Sequence, residues 1–144
     1  MADPRATSVV IPAFNEAAAI GQVGAGLATA AHWHEIIVVD DGSVDSPEQV
    51  LPRDARIALI RQPPQGIAAA LERGRAACRG EWIARLDADD EALPGRISAQ
   101  TRALAADPRL AVVGGRAELV RDDGAVPEGM ARYAAWVNGL EDLH

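Results

Sequence analysis

Glu35-Ile36-Ile37-Val38-Val39-Asp40-Asp41-Gly42-Ser43 decides how this chain is read. Ile36 to Val39 are all β-branched, which suits a pleated strand. The run then stops in two carboxylates and an Asp-Gly pair, a turn signal. A strand that closes in acid matters because open α/β sheets bind ligands outside the carboxyl ends of their strands.

The same pattern recurs on either side. Ser8-Val9-Val10-Ile11 is a β-branched run ended by Pro12 and reads as a buried parallel strand. Arg56–Ile60 reads as a third strand, and Glu81–Leu86 as a fourth, closing in Asp87-Ala88-Asp89-Asp90. Leu110–Gly114 and Ala117–Val120 are expected as two further strands.

Helical spacing fills the intervals. Asn15 offers an N-cap and Glu16 a first-turn acid, followed by Ile20, Val23, Leu27 and Ala30. Ile67–Cys78 is a second helix, and Pro94 opens a third that runs to Ala106. Ala131–Leu140 is a fourth, carrying Tyr133, Trp136 and Val137. Gly21, Gly24 and Gly26 weaken the first helix and are expected to mark close packing on the sheet. Alternating strands and helices imply right-handed crossovers. The expected fold is therefore α/β, one domain with a mostly parallel sheet flanked by helices.

Composition agrees. Of 144 residues 49% are apolar but only 3% aromatic, so Ala, Val, Ile and Leu must fill the core. The net charge of −7 lacks the basic footprint of a nucleic-acid binder. Acidity is compatible with a phosphate ligand when a divalent cation lies between it and the carboxylates. Met1–Ser8 is polar, no run reaches the roughly 18 apolar residues of a membrane span, and Cys78 has no partner cysteine. The expectation is a soluble cytoplasmic protein, able to dock peripherally at a membrane.

Three polar clusters fall at strand ends: Pro12–Asn15, Asp40–Ser43 and Asp87–Asp90. Asp87 and Asp89 are two residues apart, so in an extended segment both project to one side. Magnesium and manganese commonly take one or two carboxylates together with substrate phosphates. Asp40 either belongs to a simple turn or accepts from a base ring N–H or a ribose hydroxyl. A calcium loop is excluded, because its sixth and twelfth positions would be Ala92 and Ser98. Gly21, Gly24 and Gly26 lie inside a helix and so form no dinucleotide fingerprint. His32 and His34 suit helix capping better than metal ligation. Arg73, Arg75, Arg79 and Arg85 read as solvated faces, one of which could reach a phosphate.

The motifs together resemble family 2 glycosyltransferases of the GT-A type. Val9–Glu16 resembles the family's opening strand and turn, and Ile37–Asp45 its V-D-D-G-S-x-D segment. Gly66–Leu71 and Gly80–Asp90 resemble the stretch bearing the D-x-D motif, continued by Pro94, Arg96, Ile97, Gln100 and Val112–Gly115. The resemblance implies transfer from a nucleotide-diphosphate sugar (UDP-, GDP- or dTDP-linked), with inversion at the anomeric carbon and Mn2+ or Mg2+ as cofactor. The acceptor would be a glycan, a lipid or a small molecule. Pro12, Ala13, Phe14, Asn15, Glu16, Asp40, Asp41, Gly66, Asp87, Ala88 and Asp89 would form the donor site. Asp87, Asp89 and Asp90 would be the metal candidates.

Two departures stand out. Glu72 occupies a place where relatives often carry asparagine. No Glu-Asp pair follows a further strand and no Q-x-x-R-W appears, so the general base is expected beyond residue 144, in a longer protein. A nucleotide-sugar-binding module without turnover is the alternative. A sugar-phosphate nucleotidyltransferase would need a Gly-rich basic loop where Pro12-Ala13-Phe14-Asn15 stands. A homo-oligomer that covers apolar surface left by an incomplete sheet is a further expectation.

Overall fold

The computed structural model describes residues 6–30, 33–121 and 123–140. The β-branched runs form four strands: β1 (Thr7–Ala13), β2 (Glu35–Asp40), β3 (Ile57–Arg61) and β4 (Trp82–Arg85). They pair in the order β3-β2-β1-β4, every pairing parallel. Val9 sits level with Ile36 on one side and Ala84 on the other, and Ile36 with Ile57. The two central strands are β1 and β2, and β2 is buried at all six positions.

Helices cover both faces. α1 (Ala17–Thr29) sets Ile20 and Leu27 against Val9, Ile11, Ile36 and Val38, joined by Trp33, Leu86 and Ala88. α2 (Ile67–Ala77) sets Ala70 against Ile37 and Val39 on the opposite face. α2 approaches closely because Gly74 stands over β1, where an added Cβ would overlap Val10 Cγ1. α3 (Arg96–Ala106) sends Ile97 to the first core, and α4 (Glu128–Asn138) buries none of its residues.

Several expectations change in three dimensions. Residues 110–114 and 117–120 form no strand. β-propensity describes fit to a paired, half-buried surface, and these residues have no strand beside them. Val112 and Val120 are exposed. Side-chain amides stand in for a ladder. Gln100 Nε2 donates to the Val113 and Gly114 carbonyls, and Asn138 exchanges two hydrogen bonds with the Ala117 backbone at 2.9 and 2.8 Å. α3 starts at Arg96 after Gly95, two residues beyond Pro94, and α4 starts at Glu128 after Pro127.

Asn15 is not the N-cap of α1. That position belongs to Glu16, and Asp45 Oδ2 accepts the Ala17 N–H from a different loop at 2.8 Å. Gly21 and Gly24 pack on Val50 and Pro52, not on the sheet, and nothing lies near Gly26. His34 donates its backbone N–H to the Thr7 carbonyl, while His32 lies outside the described residues. Arg79 is solvent-exposed as expected, and it is also paired. Its N–H and Nε reach Glu35 at 2.6 and 2.9 Å, and Ser8 Oγ donates to the same carboxylate at 2.7 Å. Burial pushes the Glu35 carboxyl up, but these donors outweigh it and hold it below its ordinary value. The network closes the amino end of the sheet. Burial pushes the Cys78 thiol up, and its Sγ donates to the Gly74 carbonyl, as suits an inert packing thiol.

The same substitution at two helical glycines should act in opposite directions. Gly74→Ala forces α2 off β1 and is expected to cost about 1–3 kcal/mol in urea unfolding. Gly26→Ala meets no neighbour and is expected to gain about 0.5–1 kcal/mol from helix propensity.

Candidate functional site

Chain order runs outward from β1 to β2 and β3, then crosses back to place β4 on the other side of β1. This reversal opens a crevice at the carboxyl ends of β1 and β4, the usual ligand position in such sheets. A cleft of about 240 Å³ lies there, lined by Pro12, Ala13, Phe14, Glu16, Asp41, Ile67, Ala70, Asp87, Ala88 and Asp89.

Two interlocked loops hold one wall. Asn15 takes a left-handed φ of 55°, and its side-chain oxygen accepts from Val44 N–H at 3.0 Å. Its own N–H donates to Ser43 Oγ at 2.9 Å, and Asp41 N–H donates to the Ala13 carbonyl. The clasp leaves Phe14 54% exposed on the lip of the cleft, facing the first turn of α2, where Ile67 is also exposed. An apolar lip of this kind can hold a flat ring.

Asp41 organises the second wall. Its Oδ1 accepts from Gln62 Nε2 at 2.7 Å and Gln65 N–H at 2.8 Å, and its Oδ2 from Gly66 N–H at 2.7 Å. The Gln65 and Gln62 donors, helped by Gly66, hold the carboxyl below its ordinary value against a smaller opposing effect of burial. Gly66 has a φ of 90°, a conformation costly for any residue with a Cβ, and it starts α2. Asp40, by contrast, is only 2% exposed and is not among the residues that line the cleft. Its Oδ1 accepts from Ser43 N–H at 2.9 Å, and Arg61 Nε lies 3.4 Å from its Oδ2.

The third wall is the end of β4. Leu86 and Ala88 point into the core, so Asp87 and Asp89 both reach the cleft, as their spacing requires. Asp90 turns outside the lining. Partial burial pushes its carboxyl up, Asp87 and Asp89 push it further, and Arg96 and Arg85 oppose them.

Of the residues singled out from sequence, Pro12, Ala13, Phe14, Glu16, Asp41, Asp87, Ala88 and Asp89 therefore line one cleft. Asn15, Asp40 and Gly66 brace it from behind. Ile67 and Ala70 were missed, although their i, i+3 spacing on the first turns of α2 puts them on one helix face. Ser43 belongs to the expected strand-end cluster, but its tie and that of Asp45 to the β1–α1 loop are contacts across 28 residues, which local spacing does not reveal.

The lining contains four carboxylates and no basic residue, an arrangement that favours a bound cation over a bare anion. Among the described residues no three ligating side chains converge into a closed metal cage. Two oxygen donors in an open cleft nonetheless suit magnesium or manganese, which complete their shells with phosphate and water.

The chain belongs to the glycosyl transferase family 2, whose model matches residues 8–131. It is 37% identical over 110 residues to the succinoglycan biosynthesis protein ExoO of Rhizobium meliloti (strain 1021), covering 72% of this chain and 31% of that one. It is 35% identical over 100 residues to the undecaprenyl-phosphate 4-deoxy-4-formamido-L-arabinose transferase of Pseudomonas fluorescens (strain SBW25), covering 62% and 29%. Among solved structures it matches glucosyl-3-phosphoglycerate synthase of Mycobacterium tuberculosis, crystallised with Mn2+, UDP and glucosyl-3-phosphoglycerate. The TM-score is 0.50 at 28% identity, over 60% of this chain and 36% of that one. The fold is that of GT-A glycosyltransferases. The chain spans about a third or less of the length of these relatives.

Asp41→Asn should weaken the loop at residues 62–66 and lower the unfolding midpoint at neutral pH. Because the folded-state value of Asp41 lies below its ordinary 3.8, its stabilisation is complete above that value and is lost as pH falls. The difference in urea midpoint between wild type and variant should accordingly shrink toward zero on acidification.

Proposed function

We propose that this chain forms the donor half of an inverting, metal-dependent glycosyltransferase that uses a nucleotide-diphosphate sugar. One observation carries the reading: apolar residues and a pair of carboxylates line a single cleft at the sheet's switch point. Pro12, Phe14 and Ile67 take the base, their exposed surfaces matching the face of a planar ring. Asp87 and Asp89 hold the divalent cation, with Asp90 beside them. That cation, when bound, neutralises the departing diphosphate as a Lewis acid. Glu16, also in the lining, is the candidate to accept from a ribose hydroxyl. Asp40 and Asp41 act by bracing the walls, because their oxygens already accept hydrogen bonds from the protein. Displacement at the anomeric carbon needs a base to take the acceptor proton. No residue of this chain is assigned that role, and turnover is not part of the reading.

The relatives' names point to a glycan or a lipid-linked acceptor, and a lipid-linked one would be met at a membrane surface. No helix among the described residues is long and apolar enough to cross a bilayer. The exposed Val112, Val120, Met130, Tyr133 and Trp136 favour self-association of this chain. Sedimentation should give a species larger than the monomer; a monodisperse monomer counts against it.

Calorimetric titration with UDP and then GDP, each with and without Mn2+, tests the main reading. One nucleotide should bind in a metal-dependent way. Asp89→Asn should weaken binding roughly tenfold or more, as expected for a lost charge-assisted contact. Binding that ignores both metal and mutation would sink the reading.

A further inference from the structure

We infer that Arg85 is a positioning residue of the cleft, holding the Asp87 carboxylate as a resident counter-ion that an incoming divalent cation displaces. The inference rests on the donor-site reading above and adds a residue outside the cleft lining. Arg85 is the last residue of β4, level with Val10 of β1. Its carbonyl accepts from Arg96 Nη2 at 3.0 Å, which anchors the backbone at the strand end. Two residues on, Asp87 projects to the same side. The guanidinium meets it as a fork, Nε to Oδ1 at 3.1 Å and Nη2 to Oδ2 at 3.4 Å.

Arg-x-Asp or Asp-x-Arg pairs also close at Asp54/Arg56, Asp107/Arg109 and Arg121/Asp123. None of those carboxylates lines the cleft, and Asp87 does. Among the described residues, Arg85 is therefore the cation held on a cleft carboxylate while the lining itself carries no basic side chain. A metal ion and a guanidinium on one carboxylate repel each other at short range. Arg85 is about half exposed, so it is free to swing away when the metal arrives. The pair is solvent-screened, which limits the competition to a modest factor.

Titration of the 144-residue chain with Mn2+ alone, reading free Mn2+ by electron paramagnetic resonance, tests this without turnover. Arg85→Gln should bind Mn2+ about two- to five-fold more tightly than wild type, the range expected for a partly exposed ion pair. Arg85→Lys, which keeps the charge but loses the fork, should fall between them. In an Asp87→Asn background the Arg85→Gln effect should vanish, because Arg85 acts through that carboxylate. Equal affinity of wild type and Arg85→Gln overturns the inference and leaves the donor-site reading standing, as does a difference that persists in Asp87→Asn. No Mn2+ binding by wild type or any variant overturns both.

Discussion

The parallel pairing of β1 with β2 on one side and β4 on the other is the constraint on which everything else depends. It places the ends of three strands on one rim, so that loops distant in sequence share one cleft. It also demands that β1 be apolar on both faces, since α1 lies over one and α2 over the other. Val9 and Ile11 meet the first helix, and Val10 meets the second, at a distance that only Gly74 permits. A polar residue in the middle of β1 would strand an unpaired group beneath a helix.

The acidic residues divide into two physical classes. Glu35, Asp40, Asp41 and Asp45 accept hydrogen bonds from the protein's own backbone and arginines, and so fix loops and strand ends. Asp87 and Asp89 face the cleft with oxygens available to a ligand, Asp87 under the hold of Arg85. The first class builds a rigid frame and the second supplies an unbalanced negative field within it. A site of this kind gains from preorganisation, because the walls are already held before any ligand enters.

Much of this was legible in the sequence. Val9–Ile11 and Ile36–Val39 announce strands, and their acidic or polar endings announce a rim, because both are local consequences of residue type and spacing. The Asp87-x-Asp89 spacing correctly places two carboxylates on one side. Leu110–Val120 shows where such reasoning fails. Its β-branched residues favour extended backbone, but a strand exists only when another strand offers hydrogen bonds, and among the described residues none does. The helix cap failed for a related reason: Asn15 has the right chemistry, but the donor at the start of α1 is met by Asp45 from across the loop.

The sequence by itself determined the four strands of the sheet, the helices between them, that the sheet is parallel, and which rim carries acid, since these follow from periodicity and local propensity. Only the tertiary structure decided which carboxylates are committed to the frame and which face the cleft. The identity of an aspartate says nothing about the donors that surround it. Apart from Ser43 beside Asp40, those donors come from distant segments, as Gln62 and Gly66 do for Asp41 and Arg79 does for Glu35.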